Sequence, residues 1–350
     1  MKPIQTGLAS YGMSGAVFHA PFLDIHPMFA IHTIVERTSD NAHKRYPYVR
    51  IVRSYDDMLD DPDIQLVIVN TPDVTHYEFT RRALVAGKHV IVEKPFVFTV
   101  AEGEALIALA EEKGLMLAVY QNRRWDGDFL TIRQILQSGV LGRVVEFQSS
   151  YQRYRNYIQP DTWKEKADRR VGLTYNLGSH MIDQAVTLFG IPKAVYADID
   201  SLRKDSEVDD FYHIQLIYEK LKVSLRASYL VREEVPRYYI HGTQGSYVKC
   251  GLDPQEEMLK AGISPGINNW GAEKESAWGV LNTEIKGMHF RGKIETLRGN
   301  YAAFYNTIYQ AFLDGTPPPT IASAVLPVIR IIEAAFQSAE DRKAIDITCE

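Results

Sequence analysis

The 350-residue sequence holds only two cysteines, Cys250 and Cys349, far apart and in no metal-like spacing. That excludes a disulfide framework and leads us to expect a reducing compartment, the cytoplasm. Positive charge is not in excess: 39 Lys and Arg against 44 Asp and Glu give a net charge of −5, and no basic run stands out. A nucleic-acid partner is therefore not expected. No apolar stretch approaches a membrane span, and MKPIQTGLAS (1–10) has neither signal-peptide nor transit-peptide character, so a membrane partner is not expected either. Internal repeats are missing, and the one biased tract is TPPPT (316–320). What is present is a globular composition, 45% hydrophobic and 24% charged, on a chain long enough for two domains.

The first third alternates strand and helix patterns. PIQTGLAS (3–10), FAIHTIVE (29–36), LVIVNT (66–71), HVIVEKP (89–95) and LMLAVYQN (115–122) read as strands. LVIVNT and HVIVEKP are the continuous apolar runs expected of strands buried on both faces. DVTHYEFTRRALVAG (73–87) and TVAEGEALIALAEEKG (99–114) read as helices closed by Gly87 and Gly114. The segment after Gly12 reads as helical until Pro21 disturbs it. Right-handed crossovers then give a doubly wound parallel sheet. Beyond residue 122 the rhythm changes. The segments 127–139 and 176–190 read as helices, with strands at 142–151, 194–200, 211–219, 222–230 and 237–250. Gly242 and Gly245 mark a hairpin. The stretch 252–298 reads as an irregular loop, and 300–315 and 322–341 as helices. The expected fold is α/β: a parallel doubly wound domain over 1–122, then an α+β domain over 123–350 with a large, mostly antiparallel open sheet. The C-terminal helices are free to pack back on the first domain.

GLASYGMSG (7–15) raises a specific chemistry. Ser10 to Gly15 reads S-Y-G-M-S-G, the dinucleotide turn G-x-G-x-x-G with serine at its first position. It follows a strand and precedes a helix, the context that gives the motif meaning. Gly12 would let the backbone approach a pyrophosphate, and Gly15 would let helix and strand pack closely. Ser10 can replace the missing glycine if its φ stays negative, and its hydroxyl could face a phosphate. The amides of Met13, Ser14 and Gly15 would meet the anion at a helix N-terminus. Glu36 ends the second strand 21 residues after Gly15, where an acid holds the adenosine ribose. Arg37 follows it and suits a 2′-phosphate, so NAD and NADP both stay open.

Together GMSGAVFHAPF, NTPDVTHYE, GKHVIVEKPF, NLGSHMIDQ and GTQGSYVKCGLDPQE, in this order and spacing, resemble the Gfo/Idh/MocA family of glucose–fructose oxidoreductase and inositol dehydrogenase. The resemblance covers essentially the whole chain. It implies that Lys94 of EKP contacts the nicotinamide ribose and substrate and serves in acid–base chemistry, flanked by Glu93 and Pro95. A lysine accepts a hydroxyl proton only if burial or a positive neighbour lowers its pKa, and oxidised nicotinamide is such a neighbour. The resemblance also sets Thr71, Pro72, Asp73 and His76 against the cofactor, with Asp73 also suited to cap the helix that follows. Tyr120, Gln121 and Asn122 stand at the next strand end, where Gln121 and Asn122 reach the nicotinamide amide. Arg123 and Trp163 are candidate substrate contacts. In NLGSH the family's aspartate is replaced by Asn176, four residues before His180. An amide orients a hydroxyl but takes up no proton, so any relay runs through Lys94 and His180. Asp183 could orient His180 or form a structural ion pair, and no metal-ligand set is identified.

The function this implies is hydride transfer between NAD or NADP and a hydroxyl or carbonyl carbon of a sugar, polyol or inositol-like substrate. Alternatives are a cofactor-binding regulator without net turnover and a glycosidase using tightly bound NAD. A homodimer or homotetramer through the C-terminal sheet is also implied.

Overall fold

The computed structural model describes residues 2–160, 162, 165 and 169–347, so Trp163 and Cys349 lie outside the described residues. Two compact units emerge. The first comprises Met1–Trp125, Gln255–Trp270 and Asn300–Leu326; the second comprises Asp126–Pro254, Gly271–Gly299 and Pro327–Glu350.

The first unit is built on six parallel strands: β1 (Ile4–Leu8), β2 (Phe29–Val35), β3 (Arg50–Val52), β4 (Leu66–Val69), β5 (His89–Val92) and β6 (Leu117–Val119). Their order is β3-β2-β1-β4-β5-β6, so the winding reverses between β1 and β4. In such sheets the crevice at the carboxyl ends beside that reversal is where ligands bind. β4 is buried at every residue, as its branched apolar run requires. The helix Val100–Lys113 starts with a capping box between Thr99 and Glu102 and stops at Gly114 in the left-handed region. Pro21 does not break a helix as expected. It stands in the first turn of Ala20–Ile25, where its missing N–H is not needed. Tyr301, Phe304, Tyr305 and Ile308, from far along the chain, join Leu8, Ile34, Ile68 and Ile91 in one core.

The second unit carries nine strands: β7 (Val144–Gln152), β8 (Ala194–Asp200), β9 (Phe211–Ile217), β10 (Lys222–Ser228), β11 (Tyr238–Gly242), β12 (Gly245–Lys249), β13 (Gly279–Ile285), β14 (Met288–Ile294) and β15 (Ile345–Asp346). Their order is β14-β13-β12-β11-β7-β10-β9-β8-β15. All neighbours are antiparallel except β7 and β10. β9 shows the half-buried alternation: Tyr212, Ile214 and Leu216 face the core, while Gln215 and Ile217 are exposed. The hairpin expected near Gly242 and Gly245 forms between β11 and β12.

Two expectations fail. The stretch read as an irregular loop contains β13, β14 and the short helix Gln255–Lys260. Lys286 and Gly287 join β13 to β14 with φ of 51° and 79°, the two positive angles of a tight hairpin turn. β14 is nearly all solvent-facing, so no apolar alternation betrays it. The helix Ala322–Asp341 is apolar and long enough, by length and composition, to cross a membrane, yet 56% of its apolar window is buried inside the fold.

Candidate functional site

The carboxyl ends of β1 and β4 are laced together. Ser10 N–H donates to Asn70 Oδ1 (3.0 Å), Asn70 Nδ2 donates to the Ser10 carbonyl (2.8 Å), and the Ser10 hydroxyl donates to the Asn70 carbonyl (2.9 Å). Ser10 is not among the non-glycine residues with positive φ, so serine is accommodated without strain. Its hydroxyl, expected to face a phosphate, is spent on Asn70 instead. Asn70 was missed by the sequence reading; an amide ending a buried apolar strand is the signal that could have found it. A Cβ on Gly15 would collide with the Ser10 carbonyl and crowd Asn70 Nδ2, whereas one on Gly12 would meet only Ser10 Oγ, at 3.9 Å. Gly15 is thus glycine for packing, while the backbone at Gly12 lies open to approach. Met13 is 57% exposed beside it. A π turn, Gly15–His19, runs on into Ala20–Ile25.

Beneath this turn lies a buried polar network. Ser14 donates its hydroxyl to Glu93 Oε1, His19 Nε2 donates to the same oxygen (3.0 Å), and the Lys94 amide donates to Glu93 Oε2 (3.1 Å). Burial pushes the Glu93 carboxyl up. The hydrogen bond and charge of His19, with the Ser14 bond and the Lys94 charge, overcome it and hold the group at about 2. His19 Nδ1 lies 2.8 Å from the Tyr305 hydroxyl, and burial raises the Tyr305 and Tyr120 phenols well above their ordinary value. His19 sat unremarked within GMSGAVFHAPF; its partners, 74 and 286 residues away, are invisible to local pattern.

Lys94 and Pro95 follow β5, joined by a cis peptide bond. Buried His76 braces this loop, with Nδ1 2.7 Å from the Pro95 carbonyl and Nε2 3.1 Å from that of Thr71. It supports the loops rather than presenting a free ring nitrogen. Thr71 Oγ1 accepts from Thr75 (2.7 Å). Asp73, expected as a cap, is the first residue of a short 3-10 turn whose cap position is Pro72. At the end of β6, Tyr120 donates to the Phe18 carbonyl (2.8 Å), and Asn122 opens a 3-10 turn. Gln121 is buried with its Oε1 atom lacking a hydrogen-bond partner among the described residues. An open Gly12 and an orphaned amide oxygen fit a dinucleotide: one receives the pyrophosphate closely, the other a carboxamide N–H.

Two candidate binding residues are turned inward. Glu36 is 5% exposed, and its carboxylate accepts from the Ser39 hydroxyl (2.6 Å) and the amides of Asn41 (3.1 Å) and Ala42 (2.9 Å). It organises its own loop, leaving Arg37 and Thr38 exposed at the surface. Arg123 pairs with Glu256 at 2.6 Å. Burial raises the Glu256 carboxyl, but Arg123 and Lys260 together hold it at about 2. Elsewhere in this unit His32, Asp61 and Asp63 bring ligand atoms within 4.8 Å of one another, but Arg50, 2.6 Å from Asp61, already answers that charge.

In the second unit Asn176 lies in a π turn, Thr174–Gly178, that leads into the helix Ser179–Phe189, with His180 and Asp183 buried along it. The continuous α-helix assumed for the four-residue spacing is widened here by one residue. Both turns expected to carry function therefore hold π geometry, which recurs at functional sites. Asp209 anchors the start: its Oδ2 accepts from the Thr174 amide (2.7 Å) and hydroxyl (2.8 Å). Burial is the largest influence on this carboxyl and pushes it up to about 6 against those bonds.

Two family models cover nearly all of the chain: an oxidoreductase-family NAD-binding Rossmann fold over residues 4–121, and the oxidoreductase-family C-terminal alpha/beta domain over 133–347. The chain belongs to the Gfo/Idh/MocA oxidoreductase family. It is an NAD(P)-dependent oxidoreductase. The scyllo-inositol 2-dehydrogenase (NADP(+)) IolW of Bacillus subtilis (strain 168) is 41% identical over 98% of this chain and 95% of its own. The crystal structure of a Bacteroides fragilis NCTC 9343 protein is 52% identical, with a TM-score of 0.92 over 99% of this chain and 100% of that one. That of an oxidoreductase from Bacillus cereus is 33% identical, with a TM-score of 0.91 over 99% of each chain.

Proposed function

We propose that the protein interconverts a hydroxyl and a carbonyl on a polyol, sugar or inositol-like substrate. Bound nicotinamide supplies the hydride acceptor or donor. In the oxidation direction Lys94 takes the hydroxyl proton. His180 and Asn176 hydrogen-bond the substrate, with Asn176 orienting but not titrating. Glu93 and its network fix the backbone from which Lys94 projects. The observation that carries this reading is the position of Lys94, directly after buried β5 at the carboxyl edge of the sheet, its amide tied to Glu93. The family of the chain and its likeness to the scyllo-inositol 2-dehydrogenase IolW support the substrate class. Lys94→Ala should lower turnover about 10²- to 10⁴-fold at saturating cofactor on a panel of inositols and aldoses. Unchanged turnover would overturn the role given to the lysine.

The same reading prefers NADP. The carboxylate that would hold a free ribose hydroxyl is already occupied by Ser39, Asn41 and Ala42, while Arg37 stands exposed beside it. Equal KM for NADH and NADPH would reject this. We also place the protein in the cytoplasm, where the free thiol of Cys250 persists. We assign it a dimer or tetramer through the open face of the nine-stranded sheet, where Gln215, Arg226, Tyr196 and Tyr239 are exposed. A monomer by light scattering across dilution would remove the oligomer.

A further inference from the structure

Because β7 and β10 run parallel, their chains leave the sheet at the same end. Beyond it they stay zipped: Arg153 N–H donates to the Ser228 carbonyl (3.1 Å), Arg155 N–H to that of Tyr229 (2.7 Å), and Val231 N–H to that of Arg153 (3.2 Å). This gathers arginines around tyrosine rings. The guanidinium carbons of Arg153, Arg155 and Arg203 lie 5.9, 5.1 and 4.9 Å from the Tyr229 centroid. Arg153 is also 5.9 Å from the ring of Tyr151, which lies 4.3 Å from Arg237. Arg237, 3% exposed, is 4.3 Å from Tyr238 as well.

The countercharge is uneven. Arg203 is matched by Glu165 (2.8 Å) and Asp210 (2.7 Å). Among the described residues, no carboxylate lies within the 4.0 Å ion-pair limit of Arg153, Arg155 or Arg237. Arg237 donates instead to the Ser149 hydroxyl, the Ser150 carbonyl (3.4 Å) and Gln184 Oε1 (3.3 Å). Three guanidinium charges thus lie against three tyrosines, and of the three Arg237 feels nearby carboxylates, Asp126 and Asp128, beyond ion-pair range. Aromatic faces offset part of their repulsion, but an oxyanion offsets it far better, and the guanidinium fork fits one bidentately. The array also abuts the helix of His180. Gln184, one turn further along, accepts from both Arg237 and the Tyr238 hydroxyl (2.8 Å).

We propose that Arg153 and Arg155 bind an oxyanion borne by the substrate, so that the physiological substrate is a sugar or polyol carrying a carboxylate or phosphate. Arg237 is a positioning residue: buried against Tyr151 and Tyr238, it holds the tyrosine that Arg153 faces and adds positive potential. The inference rests on the reading that His180 meets the substrate, and its test is binding rather than turnover. The affinities of the full-length protein for D-glucuronate, D-glucose 6-phosphate, D-glucose and inorganic phosphate would be measured by calorimetry, with and without NADP. At least one charged sugar should bind about tenfold tighter than glucose, the scale of one charge-assisted hydrogen bond. That advantage should shrink as salt rises. Glucuronate ahead of glucose 6-phosphate assigns a carboxylate, and the reverse assigns a phosphate. Arg153→Gln and Arg155→Gln should each abolish the advantage while leaving glucose affinity unchanged. Arg155→Lys, which keeps charge but loses the fork, should keep part of it. Equal affinity for charged and neutral sugars, an advantage surviving both glutamine variants, or phosphate binding as tightly as either charged sugar would overturn the proposal. None of these results depends on whether Lys94→Ala loses turnover, so the two readings fail separately.

Discussion

Glu93 in the first unit and Asp209 in the second are both carboxylates buried beside a π turn, yet burial has opposite outcomes for them. Glu93 takes hydrogen bonds on both oxygens and has a buried imidazole as neighbour; it sits at about 2. Asp209 has donors on Oδ2 only, its Oδ1 lacks a partner among the described residues, and it sits at about 6. Burial alone does not set a carboxylate's behaviour; the number and charge of its donors do. The parallel-sheet unit has satisfied its acid from three directions. The antiparallel unit has left one oxygen of its acid bare against Gly172, where even a Cβ would clash.

The largest test of this contrast is Glu93→Gln. It keeps an acceptor but removes the negative charge that faces buried His19, and should cost about 3–5 kcal/mol in urea unfolding at pH 7. A loss below 1 kcal/mol would mean the pair is not mutually stabilising. Next is pH. The pKa of Asp209 rises from 3.8 to about 6 on folding, so its folded state favours the proton. This residue should therefore destabilise the protein above pH 6, and the penalty should fade as pH drops towards 4, about 3 kcal/mol in all. Glu93 works the other way: its contribution is present above pH 4.5 and lost as pH falls through its folded value of about 2. Asp209→Asn should remove the slope between pH 4 and 6 that wild type shows. If both proteins give the same slope, the bare oxygen is solvated. The smallest effect is Ser14→Ala, which leaves His19 and the Lys94 amide on Glu93 and should cost about 1.5–3 kcal/mol. If thermal unfolding shows no loss, the turn does not lean on Glu93.

Much of the first unit was readable because it is written locally. LVIVNT and HVIVEKP announce doubly buried strands, and Gly12, Gly15 and Lys94 stand where strand ends put them. What stayed hidden depends on contacts distant in sequence. Nothing near Ser10 says that Asn70 will engage its backbone and hydroxyl, and nothing near Glu36 says that its carboxylate will fold back onto its own loop. His19, Glu93 and Tyr305 become a network only once the later helix Ala302–Asp314 joins the first core. In the second unit the antiparallel hairpins were legible from alternation and paired glycines. β13 and β14 were not, because Lys286–Gly287 is a less familiar turn pair than Asn-Gly and β14 has no buried face to impose a period.

That same strand has a further bearing. β14 is a rim of the nine-stranded sheet, seven residues long, with backbone groups on one side that no neighbouring strand receives among the described residues. A bare rim of this length invites stray pairing with other chains and ultimately aggregation. Arg291 and Lys293 stand two residues apart on it, two positive side chains that repel an approaching copy of the strand. At the opposite margin the two-residue β15 covers only Ala194 and Val195 of β8, and further along the Ser338 hydroxyl accepts from the Ala197 amide. Stray pairing is thus opposed by charge at one margin and by a side-chain hydrogen bond from a helix at the other.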